Sequence, residues 1–216
     1  MNQPVGNSAS DAASIQGPAP GGVGLLIIDM INPLDFEGAE GLWPQADALA
    51  ATVLELRGAA DRLGIPTVYV NDNYGQWHSE KTRIVESVSR PEAPGRHMVR
   101  KVAPRPGDYF VIKPQVSGFY ATNLPVLLPK LGVSRIVLTG IATDICVLFT
   151  AADAHMREYS LWIPCDAVAS ESSERKDWAL DIMRKSMAAE TRATTDLSLA
   201  DWIGSSRDPA SDTARQ

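Results

Sequence analysis

Between residues 23 and 202 the chain alternates short unbroken apolar runs with longer stretches in which apolar positions recur every three or four residues. The run Val23 to Met30 (VGLLIIDM) has strand length, β-branched enrichment and no polar alternation. It predicts a strand buried on both faces with Asp29 at its carboxyl end. Pro44 to Leu63 places Leu49, Val53, Leu56 and Ala60 on one face of a helix that Gly64 ends. The same reading predicts strands at Thr67–Asn71, Tyr109–Lys113, Arg135–Gly140 and Leu161–Pro164, and a weaker last one at Glu190–Thr195. Helices are expected at Asn123–Leu131, at Thr143–Tyr159 with Thr143 as N-cap, and at Glu174–Met187. Alternation of this kind implies right-handed βαβ units, an α/β fold with a mainly parallel sheet covered on both faces.

Composition bounds what such a domain does. The 216 residues include 20 Lys and Arg against 26 Asp and Glu, a net charge of −6, and 44% are hydrophobic. A core forms on that composition, and a general nucleic-acid binder, which needs surplus cations against phosphate, is not expected. Met1 to Gly22 is rich in Gly, Pro, Ser and Ala, with Asp11 as its one charged side chain. Residues 1–21 are read as a disordered leader, 22–203 as one domain and 204–216 as a flexible tail. The leader lacks the marks of an export or transit signal, and no run is long enough to cross a membrane. Two cysteines, Cys146 and Cys165, suit a reducing, cytoplasmic setting. The acidity is uneven: Arg90 to Gly107 holds Arg90, Arg96, Arg100, Lys101 and Arg105 among four prolines and reads as a basic, solvated surface loop. The alternatives are that it holds an acidic substrate or covers a neighbouring subunit.

Ligands of a parallel sheet bind at the carboxyl ends of its strands. That rule selects Asp29, Lys113 and the turn after Gly140, which leads into TGIATDICVLFT with Cys146 in the first turn of a helix. A helix N-terminus stabilises a thiolate, the nucleophilic form of cysteine, whereas a free cysteine taken alone reads equally as a small buried hydrophobe. Asp29 and Lys113 each have a structural reading as well, and it is their coincidence with Cys146 that points to chemistry.

On these residues the chain resembles the isochorismatase-like family of cysteine hydrolases. The matching features are LLIIDM with Asp29, VIKP with Lys113, GIATDICVLFTAADA with Cys146, and IPCDAVAS after it. The resemblance implies a three-layer α/β/α sandwich with a roughly six-stranded sheet and Rossmann-like topology. It also implies a catalytic triad of Asp29, Lys113 and Cys146, an oxyanion hole from the N–H groups of Ala142 and Cys146, and a cis peptide at Ile141–Ala142. Asp29 is then the proton acceptor and donor, and Cys146 attacks an amide-type carbonyl.

Departures from relatives narrow this expectation. Nicotinamidases of the family hold a metal through an Asp-x-His pair and another His, but here the segment is Asn71-Asp72-Asn73-Tyr74, with His78 the one histidine nearby. No metal and no cofactor are expected. Isochorismatases themselves lack the cysteine, so Cys146 favours C–N hydrolysis of a small amide, carbamoyl or lactam compound. The alternatives are enol-ether hydrolysis using Asp29 without the thiol, and a redox or scaffold role. Trp43, Trp77, Phe119 and Tyr120 are candidate pocket walls, and Gly118 stands where relatives carry Ala. His155, nine residues after Cys146 on one helix, points away from it, and Cys165 is read as structural. A homo-oligomer is expected by analogy with relatives, and the one partner class implied is a small-molecule substrate, not nucleic acid or membrane.

Overall fold

A computed structural model describes residues 20–75 and 81–205. The leader through residue 19, the tail from residue 206, and Trp77 and His78 lie outside the described residues. The strands are β1 (Val23–Ile28), β2 (Thr67–Asp72), β3 (Tyr109–Lys113), β4 (Arg135–Ile141), β5 (Ser160–Trp162) and β6 (Val168–Ala169). The helices are α1 (Trp43–Leu63), α2 (Lys81–Val88), α3 (Arg96–Val102), α4 (Leu124–Lys130), α5 (Leu148–His155), α6 (Ser173–Ser186) and α7 (Leu199–Gly204). The six strands form one parallel sheet in the order β3-β2-β1-β4-β5, with β6 also paired to β4.

Strand residues alternate between two cores, as the pleat requires. Val23, Leu25 and Ile27 of β1 meet α1, α2, α3 and α7 through Leu49, Val53, Leu56, Ile84, Val99 and Trp202. Leu26 and Ile28 meet α4, α5 and α6 through Leu124, Leu128, Ala151, Ala154, Leu180 and Met183. The three-layer α/β sandwich expected from the sequence is the fold observed.

Three local expectations are corrected. Arg90 to Gly107 is not one solvated loop but contains α3, because Met98, Val99 and Val102 share an apolar face buried in the first core. Its cations meet acids of α1: Lys101 Nζ lies 2.9 Å from Asp47 Oδ1, and Arg105 Nη1 lies 2.5 Å from Asp61 Oδ2. The weak last strand shrinks to a single parallel bridge between Trp162 and Glu190. There the Glu190 carboxylate accepts the N–H groups of Thr191 and Arg192, both at 3.0 Å, and turns the chain out of the sheet. The helix expected from Thr143 begins instead as a π turn, Thr143–Val147, with α5 following. The Val147 N–H reaches back five residues to the Ala142 oxygen, and the Thr143 hydroxyl is buried without a hydrogen-bond partner among the described residues, so it caps nothing.

Candidate active site

β1, β2 and β3 run outward in one direction from the centre of the sheet and β4 and β5 in the other, so the chain reverses between β1 and β4. A crevice forms at the carboxyl side of such a switch point. Here the two strands come unusually close. Gly140 has φ +112°, and a Cβ on it would lie 2.0 Å from the Ile28 oxygen, so only glycine fits beside the residue preceding Asp29. Asp29 leaves the sheet with φ +50°, in the left-handed region where Asp is among the tolerated residues, and its N–H still donates to Val70 O at 3.0 Å.

Lys113, fully buried at the end of β3, is the hub. Its Nζ lies 2.9 Å from Asp29 Oδ2, 3.4 Å from Cys146 Sγ, 3.5 Å from Asp72 Oδ2 and 3.2 Å from Gln115 O. Asp29 Oδ1 accepts the Asp72 N–H at 2.7 Å, and Asp72 Oδ1 accepts the Tyr74 N–H at 2.6 Å. Of the two carboxylates on Lys113, Asp29 is buried, whereas the Asp72 side chain is 36% exposed and forms the open side of the cluster.

The turn carrying Cys146 leaves β4 through a cis peptide between Ile141 and Ala142. The Ala142 oxygen accepts the N–H groups of Ile145 and Val147, both at 3.1 Å.

A helix N-terminus favours a thiolate, but the electrostatics of this cluster act the other way and leave Asp29 a proton to accept. Burial, followed by the nearby Asp29 charge, pushes the Cys146 thiol up to about 12 against the opposing pull of Lys113. A thiolate would be a third anion beside one cation, so at neutral pH Cys146 is a thiol. Burial raises Asp29 above the usual aspartate value, with Lys113 the main influence in the other direction. Burial alone works to discharge Lys113, but Asp29 and then Cys146 outweigh it and hold the ammonium above the ordinary lysine value.

The structure therefore brings Asp29, Lys113, Ala142 and Cys146 together. It does not do so for the three described aromatic candidates, Trp43, Phe119 and Tyr120. Phe119 is core, 3% exposed, tilted against Tyr159 and beneath the Arg157 guanidinium, because its loop is pinned when Gly118 N–H donates to Thr150 Oγ1 at 2.9 Å. An alanine at 118 would place its Cβ 2.9 Å from Val70 Cγ1, so glycine lets this loop sit closer to β2. Trp43 begins α1 half exposed, its Nε1 donating to Leu34 O at 3.0 Å, and Tyr120 is largely exposed. Cys165 follows β5 and packs on the second core, its N–H donating to Thr191 O.

Sequence reasoning missed the second carboxylate, Asp72, and the residues that hold the loop after Asp29. Asn71 Oδ1 accepts the Ile31 N–H at 3.1 Å, and the Tyr74 hydroxyl donates to Ile31 O at 2.6 Å. The strand-end rule that selected Asp29 and Lys113 also points to Asp72, which pairs in register with Lys113 at the ends of β2 and β3. Among the described residues no group of three or more His, Cys, Asp and Glu side chains is placed to hold a metal ion.

Comparison with known proteins agrees with this architecture. Residues 23–195 match the Isochorismatase domain. The chain is 42% identical over 166 residues to the uncharacterized isochorismatase family protein YaaI of Bacillus subtilis (strain 168), covering 77% of this chain and 91% of that one. It is 30% identical over 176 residues to the ureidoacrylate amidohydrolase RutB of Serratia proteamaculans (strain 568), covering 69% and 70% respectively. Among solved structures it resembles N-carbamoylsarcosine amidase from Thermoplasma acidophilum, with a TM-score of 0.62 and 27% identity over 82% of this chain and 98% of that one. A doubly wound parallel sheet, a lysine-centred cluster at its switch point and a family match across most of its length together place the chain in the isochorismatase family of hydrolases.

Proposed function

We propose that the protein is a cysteine hydrolase that cleaves a C–N bond of a small amide, carbamoyl or lactam compound through a thioester on Cys146. The observation that carries this reading is the placement of one ammonium, Lys113 Nζ, 2.9 Å from a buried carboxylate and 3.4 Å from a buried thiol. A redox thiol needs no such partners, and enol-ether hydrolysis needs no thiol. Two relatives whose names denote an amidohydrolase and an amidase support the C–N choice.

In this mechanism the S–H proton passes to the Asp29 carboxylate as sulfur attacks the carbonyl carbon. With the thiol held at about 12, transfer accompanies attack instead of preceding it. Negative charge moves onto the carbonyl oxygen, which the N–H groups of Ala142 and Cys146 receive. The C–N bond breaks as Asp29 returns the proton to the leaving nitrogen. Water then attacks the thioester, giving one proton to Asp29, and the acid departs as Cys146 regains its proton. Throughout, Lys113 stays cationic and keeps Asp29 and Cys146 in register.

The test is a panel of amides, ureido acids and lactams assayed for ammonia or amine release. Cys146→Ala, Asp29→Asn and Lys113→Ala are each expected to lower turnover of an accepted substrate by about 10⁴-fold or more. Full turnover by Cys146→Ala alone would replace this reading with hydrolysis by Asp29 and water.

A further inference from the structure

The segment Ile163 to Ser170, IPCDAVAS, takes no part in the chemistry above, yet it ends against the turn that carries Cys146. Two residues before Cys146, Asp144 points its carboxylate inward, with a side chain 4% exposed. Ser170 Oγ donates to its Oδ1 at 2.7 Å, and Arg175 Nε forms an ion pair with its Oδ2 at 2.6 Å. Arg175 is itself fixed at the start of α6: Nη1 donates to Glu171 Oε2 at 2.8 Å, and its backbone N–H donates to the Ser172 N-cap hydroxyl at 3.3 Å.

The same short segment holds the chain leaving Asp29. Gln45 Nε2 donates to Ser170 O at 3.0 Å, and a Cβ on Gly41 would lie 1.9 Å from the Glu171 oxygen. Ser170 to Arg175 thus touches both the loop that follows Asp29 and the turn that presents Cys146. A π turn lacks the regular ladder that gives an α-helix its pitch, so its shape depends on what grips its side chains. Asp144 supplies that grip, and a nearly buried carboxylate keeps its place only while a cation pairs with it.

We propose that Arg175, acting through Asp144, is a positioning residue that holds the Cys146 sulfur in line with Lys113 and Asp29. The inference rests on Cys146 being the nucleophile. Without Arg175 the carboxylate is left with one hydroxyl partner, and the turn relaxes toward water, carrying Cys146 out of its buried site.

Two variants and two readouts test it. In Arg175→Ala, kcat is expected to fall by about 10²-fold with KM changed less than about threefold, the scale of an ångström-sized misplacement. Arg175→Lys is expected to recover at least about tenfold of that loss by restoring the charge. The second readout is the pH dependence of iodoacetamide alkylation, followed by the mass of the peptide bearing Cys146. Its midpoint, which burial holds above that of an ordinary thiol in the wild type, is expected to move down in Arg175→Ala as burial is lost. An unmoved midpoint, a lysine variant no better than alanine, or a kcat loss that matches the unfolded fraction in a thermal melt overturns the proposal. Should Arg175→Ala not accumulate as folded protein, Ser170→Ala removes the other partner of Asp144. The same downward shift is expected there, and its absence also overturns the proposal. Alkylation needs no substrate, so failure of the hydrolase reading, seen as turnover by Cys146→Ala, is distinguishable from failure of the clamp.

Discussion

At Cys146 two charges act in opposite directions on one proton. Asp29 raises the thiol and Lys113 lowers it, and the proposed reaction uses both. Asp29→Asn is therefore expected to separate reactivity from catalysis. Removing the carboxylate charge lowers the thiol's titration and speeds alkylation at about pH 9, while turnover falls by about 10⁴-fold for want of a proton acceptor. Slower alkylation in that variant would show that Asp29 does not hold the thiol protonated. The pH profile follows from the same residues. Asp29 must be a carboxylate to accept the proton, and burial raises its folded value, so kcat/KM is lost as pH falls through that raised value. The acid limb is expected above the range where an exposed aspartate titrates, and Lys113, held above its ordinary value, adds no loss through the moderately alkaline range. A limb at the ordinary aspartate value would contradict this. Asp29, Lys113 and Cys146 were legible in the sequence because each ends or follows a clear apolar strand. The state of the thiol was not, because a helix N-terminus is local while burial and the Asp29 charge come from other strands.

Among the elements, α1 and α3 show how an acidic chain uses its basic segment. Arg57 of α1 is 1% exposed and pairs with Asp108, which is 9% exposed, just before β3. Its Nη1 donates to the Tyr69 hydroxyl at 2.8 Å and to Ala103 O at 2.9 Å, and the Tyr69 hydroxyl donates to Val102 O at 2.6 Å. One guanidinium thus joins α1, β2, the end of α3 and the start of β3. Arg57→Ala leaves the nearly buried Asp108 carboxylate without its Arg57 counter-ion and is expected to cost about 3–5 kcal/mol in urea unfolding, against which a loss under about 1 kcal/mol would count. Gly140→Ala is expected to destabilise by more than about 1 kcal/mol and to suppress turnover, since the added Cβ meets the backbone of Ile28. Wild-type stability and activity in that variant would show that β1 and β4 tolerate a wider gap. Long periodic helices such as α1 were legible from their spacing. The seven residues of α3 were not, because flanking prolines and five cations masked three apolar positions. β6, two residues long, carries no periodic signal at all.

Across the whole molecule, a parallel sheet was implied by alternation of strands and helices, but which strands became neighbours was not. The pattern is blind to the fact that β1 lies between β2 and β4, and that choice makes the site. Asp29, Asp72 and Lys113 belong to the half that precedes the reversal, and Cys146 to the half that follows it. The two halves meet along β1 and β4, where the Thr139 hydroxyl donates to Leu26 O across 113 residues of chain. Contacts closed over such a span form late relative to local ones. In refolding from urea, protection of Cys146 from alkylation is expected to lag the recovery of helical signal, and simultaneous recovery would contradict this order. A partly assembled chain thus holds a lysine already matched with aspartates but no sulfur beside them. The protein has no chemistry to misdirect until the two paired strands farthest apart in sequence have met.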